Sequence, residues 1–403
     1  MTASVLEHPM RFQSLKNFEK GGLMRIDLTD LSYQAFEPLL DPAMTGEHAS
    51  DYLQSRLQIR EFYPTLFKMY PNEDLMEKLF FAFTQAKPTL SQSSVSRNLR
   101  NWANKKTIPQ NREDIFIIGF ALHFSEAQTS YLLGFISDYG IHYREPRELV
   151  FAYCLRVGKT YLEALDFMKR LPSLPPLKKL PEAGLETLRT QTIIDRFSGI
   201  QDDASFIQEF QNNLTNFGIL HLRAYDYFIK SFEHLKNPYP AFDPASPDLK
   251  VEEYSIERVM EDYLTLHMPV CKKRSNYSLL QKMLKADWPN ATSLTNILNH
   301  KKDVPRKLLL LLYIVTEGIL NDDYDELDEE YFSAEQRLDE HWWRINLILN
   351  ECGMNELDPR NAYDWLVLYS LNTDDTIAMD EKMELVIQNL FPEDAPTNDA
   401  PTK

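Results

Sequence analysis

Apolar residues along this chain recur mostly at spacings of three and four, the period of one helix face, and seldom alternate as in a half-buried strand. Such runs occupy 28–40, 50–70, 75–83, 95–102, 115–122, 126–137, 146–157 and 161–171. They continue through 185–197, 205–217 and 220–235, and then 278–285, 291–299, 308–315, 345–352, 365–368 and 381–390. Only 12 glycines interrupt 403 residues, so few positions break a helix. The pattern predicts an all-α fold.

Local signals divide these runs. Asn72-Glu73-Asp74 suits a helix start and Pro88 a stop, while Ser91 suits an N-cap for a short helix reaching about Asn104. On that helix Val95, Leu99 and Trp102 fall on one face and Arg97, Asn98 and Arg100 around the other. Trp102, like Leu298 later, reads as a core residue in preference to a stacking platform. Gly119, inside an apolar helix, predicts close packing against a neighbour, Ser125 suits a cap, and Pro146 fits a first helical turn. Residues 1–71 read as a lead-in followed by helices that buttress the next unit, 72–171. Four prolines mark 172–181 as a linker, 182–247 as middle helices with a second proline-rich connection, and 392–403 as a disordered tail.

A repeat organises the rest. Lys105-Lys106-Thr107-Ile108-Pro109 returns as Lys301-Lys302-Asp303-Val304-Pro305, each time after a short helix and before a long apolar one. A second landmark follows in the same order: Gly140 to Pro146-Arg147 is matched by Gly353 to Pro359-Arg360, and each Pro-Arg is expected to open an apolar helix. Two landmarks in one order predict an internal duplication, with the second unit at 248–391 and an acidic insertion at 321–340 that suits a solvated face.

Charge sharpens the picture. The net charge of -17 disfavours nonspecific nucleic-acid binding, yet both repeats lie in basic islands. Residues 91–112 hold Arg97, Arg100, Lys105, Lys106 and Arg112 with no acid, and 272–307 hold nine lysines or arginines against Asp287 and Asp303. Cys154, Cys271 and Cys352 are far apart and form no CxxC pair, which points away from a disulfide framework or a cysteine zinc site and towards a reducing cytoplasm. No leader-like start and no apolar run of membrane length occurs, so secretion and membrane spanning are not expected.

Ser91 to Gly140 resembles the helix-turn-helix domains of the phage-repressor, Cro-like class. There a recognition helix ends in a basic turn and a proline, followed by a helix such as Arg112-Glu113-Asp114-Ile115-Phe116 with Phe120-Ala121-Leu122, and then an aromatic-glycine pair, here Tyr139-Gly140. The likeness covers 75–165 and, more faintly, 275–375. Where the class has its second helix, Thr84 to Leu90 is short and holds Pro88. The resemblance implies two helix-turn-helix-like units and a cytoplasmic bacterial transcription regulator that binds double-stranded DNA. It places Gln92, Ser93, Ser94, Arg97 and Asn98 in the major groove with Lys105 and Lys106 on phosphate, and equates them with Asn290, Thr292, Ser293, Asn296, Lys301 and Lys302. Arginine, asparagine and glutamine can pair with base edges, and lysines supply the salt-dependent term. Related by a two-fold axis, the units would fit half-sites about 34 Å apart. The alternative is a helical interaction protein whose acidic surface suits a basic protein partner.

Enzyme signatures fail. Gly158-Lys159-Thr160 ends like a phosphate loop, but Tyr153 stands where the loop needs its first glycine. No HExxH or GxSxG occurs. No catalytic residue, metal or cofactor is therefore expected. His142 and Arg144, beside the glycine turn, can cap a helix, bind an anion or form a hydrogen-bonded surface pair.

Overall fold

Side-chain caps set many of the helix starts. In the computed structural model, which describes residues 34–41, 43–173, 190–217, 222–237, 253–269, 277–316, 334–372 and 377–392, all regular structure is helical. Most of both proline-rich connections and of the acidic stretch, together with the tail beyond 392, lies outside the described residues. After a 3-10 turn at Glu37–Leu40 come α1 (Gly46–Ser55), α2 (Phe62–Met69), α3 (Leu75–Ala86), α4 (Gln92–Ala103), α5 (Arg112–Ala121), α6 (Glu126–Leu133), α7 (Pro146–Arg156) and α8 (Tyr161–Met168). Next are α9 (Thr190–Ser198), α10 (Asp203–Asn212), α11 (Leu222–Lys236) and α12 (Ile256–Val259), the last continued by a π-helical turn. The chain then forms α13 (Leu279–Lys285), α14 (Ala291–Leu298), α15 (Arg306–Val315), α16 (Ala334–Glu351), α17 (Ala362–Leu371) and α18 (Met379–Leu390).

Ser91 and Ser125 cap α4 and α6 as expected, Ser125 in a reciprocal box with Gln128. Thr160 caps α8 in the same way with Glu163, and Lys159 Nζ lies 3.0 Å from Asp203, so the Gly-Lys-Thr run ends one helix and begins another. Gly119 does permit a close approach: a Cβ there would lie 2.6 Å from Thr129 Oγ1 on α6.

The buried apolar side chains form two clusters. One draws on α2 to α10, with Phe116, Phe151, Tyr153 and Phe206 among its largest members; the Tyr153 and Phe206 rings stack at 4.3 Å. The other draws on α11 to α18, where every residue from Leu308 to Val315 of α15 is buried, as suits a helix that is apolar all round. Cys154 and Cys352 are buried free thiols, and burial pushes the Cys154 pKa up to about 12, where the thiol is inert.

The lead-in does not buttress a single unit. Only α2 joins the first cluster, whereas Phe36, Leu39, Ala49 and Leu53 belong to the second. Trp365 Nε1 donates to the Ala35 carbonyl at 2.8 Å, Tyr52 stacks on Trp365 at 4.9 Å, and Tyr369 Oη donates to the Met44 carbonyl at 3.2 Å. Periodicity shows that a helix has an apolar face but not which distant face covers it.

Candidate nucleic-acid interface

The helix preceding α4 is α3 itself, which starts at Leu75, well upstream of the Pro88-containing stretch, and is ended by Lys87. Lys87 Nζ pairs with Asp114 near the start of α5, tying α3 to α5 around α4. Residues 87–91 join α3 to α4, and 286–290, a connection of equal length, join α13 to α14.

On α4, Val95, Leu99 and Trp102 point inward, and Trp102 meets Phe83 and Phe62 edge to face at 5.4 and 6.2 Å. Trp102 is thus core, and Leu298 is half-buried. Ser93, Arg97 and Arg100 are exposed on the opposite side, Gln92 and Asn98 are exposed at the flanks of the buried face, where Asn98 borders a small pocket with Val95, Leu99 and Trp102, and α4 carries no acid. Ser94 is half-buried and belongs to the cap, its N–H donating to Ser91 Oγ at 3.2 Å. Lys105 adopts a left-handed conformation (φ 57°) that ends the helix, with the Lys106 N–H donating to the Asn101 carbonyl at 2.9 Å. Both lysines are exposed, but Lys105 Nζ is paired with Glu61.

The second set is less basic. No charged side chain lies on α14, where Thr292 is exposed, Asn296 is half-buried, and Asn290 and Ser293 form a reciprocal cap. His300 takes the left-handed position (φ 53°), and the Lys301 N–H donates to the Asn296 carbonyl at 2.8 Å. Geometry therefore matches Lys105 with His300 and Lys106 with Lys301, one residue away from the alignment of the two lysine pairs. Lys301 and Lys302 are exposed.

Three members of the basic islands are structural. Arg112, first residue of α5, bonds Glu148 of α7 at 2.6 Å through both Nε and Nη2, and reaches the carbonyls of Tyr139 and Gly140. Arg306, first residue of α15, bonds Asp364 of α17 at 2.6 and 2.9 Å and the carbonyls of Asn355 and Glu356 at 2.8 and 3.1 Å. Each acid also accepts a backbone N–H six residues earlier, His142 to Glu148 at 2.7 Å and Asp358 to Asp364 at 2.9 Å. Lys307 spends its ammonium on the carbonyls that end α13, and burial pulls its pKa down to about 8.

This shared wiring corrects the second landmark. Pro146 opens α7, but Pro359-Arg360 lies in a turn, and α17 starts at Ala362 behind the cap Asn361. By hydrogen bonding, Gly140 corresponds to Glu356, His142 to Asp358 and Arg144 to Arg360. A sequence signal existed: an arginine opening the first apolar helix and an acid third in the next recur in both copies, but they were hidden by the more visible Gly and Pro. His142 and Arg144 are buried at 6% and 8% exposure and are no surface pair.

Comparison with protein-family models, with curated proteins and with solved structures finds no match. Among the described residues, no helix is long and apolar enough to cross a membrane.

Proposed function

We propose that this protein is a DNA-binding transcription regulator of the bacterial cytoplasm that presents two helix-turn-helix-like units, α3–α4 and α13–α14. The observation that carries the reading is the exposed surface of α4: Ser93, Arg97 and Arg100 on its outer face and Gln92 and Asn98 at its flanks are exposed on an acid-free helix that ends at exposed Lys106. Such a face offers bidentate donors to base edges and a flanking charge to phosphate. The second unit supplies Thr292 and Asn296 on the helix and Lys301 and Lys302 after it, so it contributes charge mainly through its turn. Asn290 and Ser293 act as a cap for α14, and Lys105 reaches phosphate by exchanging Glu61 for it.

Retention of genomic fragments over a salt series tests this. Arg97→Ala with Lys106→Ala is expected to weaken retention, and loss of the Lys106 phosphate contact is expected to lower the slope of log affinity against log salt by about 1, roughly 0.9 for the one phosphate no longer neutralised. Undiminished retention by the folded double mutant would sink the proposal.

A second reading, a protein-binding scaffold, draws on one feature. The helix before each candidate recognition helix exposes a large apolar side chain, Phe81 at 63% and Leu279 at 72%. Capture of a basic protein that disappears in Phe81→Ser and persists in the Arg97/Lys106 double mutant would favour it.

A further inference from the structure

Matched by the turn that ends each, α4 and α14 differ on the face turned outward. With Lys106 set against Lys301, as their shared N–H bond to the carbonyl five residues back requires, Leu99 and Trp102 fall on Leu294 and Ile297, and all four are buried. Arg97 then falls on Thr292 and Arg100 on Thr295, and all four are exposed. Both arginines of the outer face are threonines in the second unit. Length widens the difference: α4 runs for 12 residues and α14 for 8, so Gln92 and Ser93 have no helical counterpart.

Most of the polar side chains that α14 does carry are tied to its own backbone. Asn290 and Ser293 form the reciprocal cap, Thr295 Oγ1 donates to the Ala291 carbonyl at 2.9 Å, and Asn299 Nδ2 donates to the Thr295 carbonyl at 2.7 Å. Thr292 offers a hydroxyl and a methyl group, and Asn296, which falls on half-buried Asn101, is itself half-buried. A hydroxyl has one donor and cannot grip a base edge at two points as a guanidinium does, so α14 has little with which to discriminate bases. Charge in the second unit lies in its turn, where Lys301 and Lys302 are exposed, and an ammonium on phosphate carries no sequence information.

We infer that the two units divide the work: α4 reads base edges, and the second unit holds phosphate whatever the sequence. The division rests on the DNA-binding function proposed for this chain and gives it a target class, duplex DNA carrying one short asymmetric motif in place of two repeated half-sites.

Selection of duplexes from a random pool by the full chain, followed by sequencing, tests the division. The expected product is a single motif of about four base pairs, the reach of three or four side chains from one helix, with no second copy about one helical turn away. Arg97→Ala should lower affinity for the selected duplex at least about tenfold more than for a scrambled one. Lys301→Ala with Lys302→Ala should weaken both equally and lower the slope of log affinity against log salt by about 2, roughly 0.9 for each phosphate no longer neutralised. Thr292→Ala should select the same motif as the wild type. A repeated half-site, a motif changed by Thr292→Ala, or a Lys301/Lys302 double mutant that alters the ratio between the two duplexes overturns the division while leaving DNA binding in place. Retention of duplexes that share no motif does the same. Failure to retain any duplex overturns DNA binding and the division with it.

Discussion

Arg306 and Asp364 show how one side chain can serve stability where its neighbours suggest binding. Both are almost fully buried, at 6% and 2% exposure, and the bidentate pair is completed by two carbonyls and the Asp358 N–H; burial pushes the Asp364 pKa up, and the Arg306 charge and these hydrogen bonds oppose it. Removing one partner strands the other charge. Arg306→Met is expected to destabilise the fold by about 3–5 kcal/mol in urea unfolding, and adding Asp364→Leu should recover most of the loss. A double mutant no more stable than the single would contradict the pairing.

His341 gives a pH signature at the same scale. It is 4% exposed, and its Nδ1 is 2.8 Å from Tyr313 Oη. Burial, aided by the Arg344 and Arg337 charges, pulls its pKa from 6.5 to about 4. The unfolded chain therefore binds a proton between pH 6.5 and 4 that the folded chain refuses, so the stability this group contributes is complete above pH 6.5 and drains away as pH falls towards 4. The expected slope is about 1.4 kcal/mol per pH unit. In His341→Gln the acid loss of stability should be shallower by that amount, measured by denaturant melts across this range. The sequence around His341 gives opposed signals, with Asp339 and Glu340 before it suggesting an exposed stretch and Trp342 and Trp343 after it suggesting burial, so its own burial is not legible there.

At the scale of elements, α4 was legible because its signals agree. A capping serine, apolar residues at helical spacing and a lysine turn all specify one helix with one buried face. Ser91→Ala removes the acceptor of the Ser94 N–H and should cost about 1 kcal/mol of stability, read as a lower melting temperature as α4 frays. Equal melting temperatures for mutant and wild type would show that the cap is dispensable. The start of α17 was not legible. Pro359-Arg360 has the sequence of a first turn, yet the Arg306–Asp364 bond and the Asn361 cap, which accepts the N–H groups of Tyr363 and Asp364, place the start at Ala362. A local proline preference is weaker than a buried ion pair together with a cap.

At the scale of the molecule, Tyr139 packs against the second cluster and several polar contacts also join the two cores. Arg60 lies over the Tyr131 and Phe135 rings at 4.7 and 4.0 Å and pairs with Asp358 at 3.2 Å. The Asn355 N–H donates to the Asp138 carbonyl at 3.0 Å, and the Arg306 N–H to the Asp138 carboxylate at 3.2 Å. Polar contacts open more easily than the apolar cores on either side, so Arg60→Ala is expected to speed amide exchange at Asn355 while leaving the core amides of α5 and α15 protected. Unchanged exchange at Asn355 would assign the seam to other contacts.

The sequence by itself determined the helical class, many of the helix starts, the inward face of α4 and the recurrence of a lysine turn, because each depends on residues within a few positions of one another. Tertiary structure decided that α1 serves the far core, which basic residues are buried and where α17 begins. Those outcomes turn on contacts between distant segments, such as Trp365 with Ala35, 330 residues apart, whose geometry no local pattern encodes.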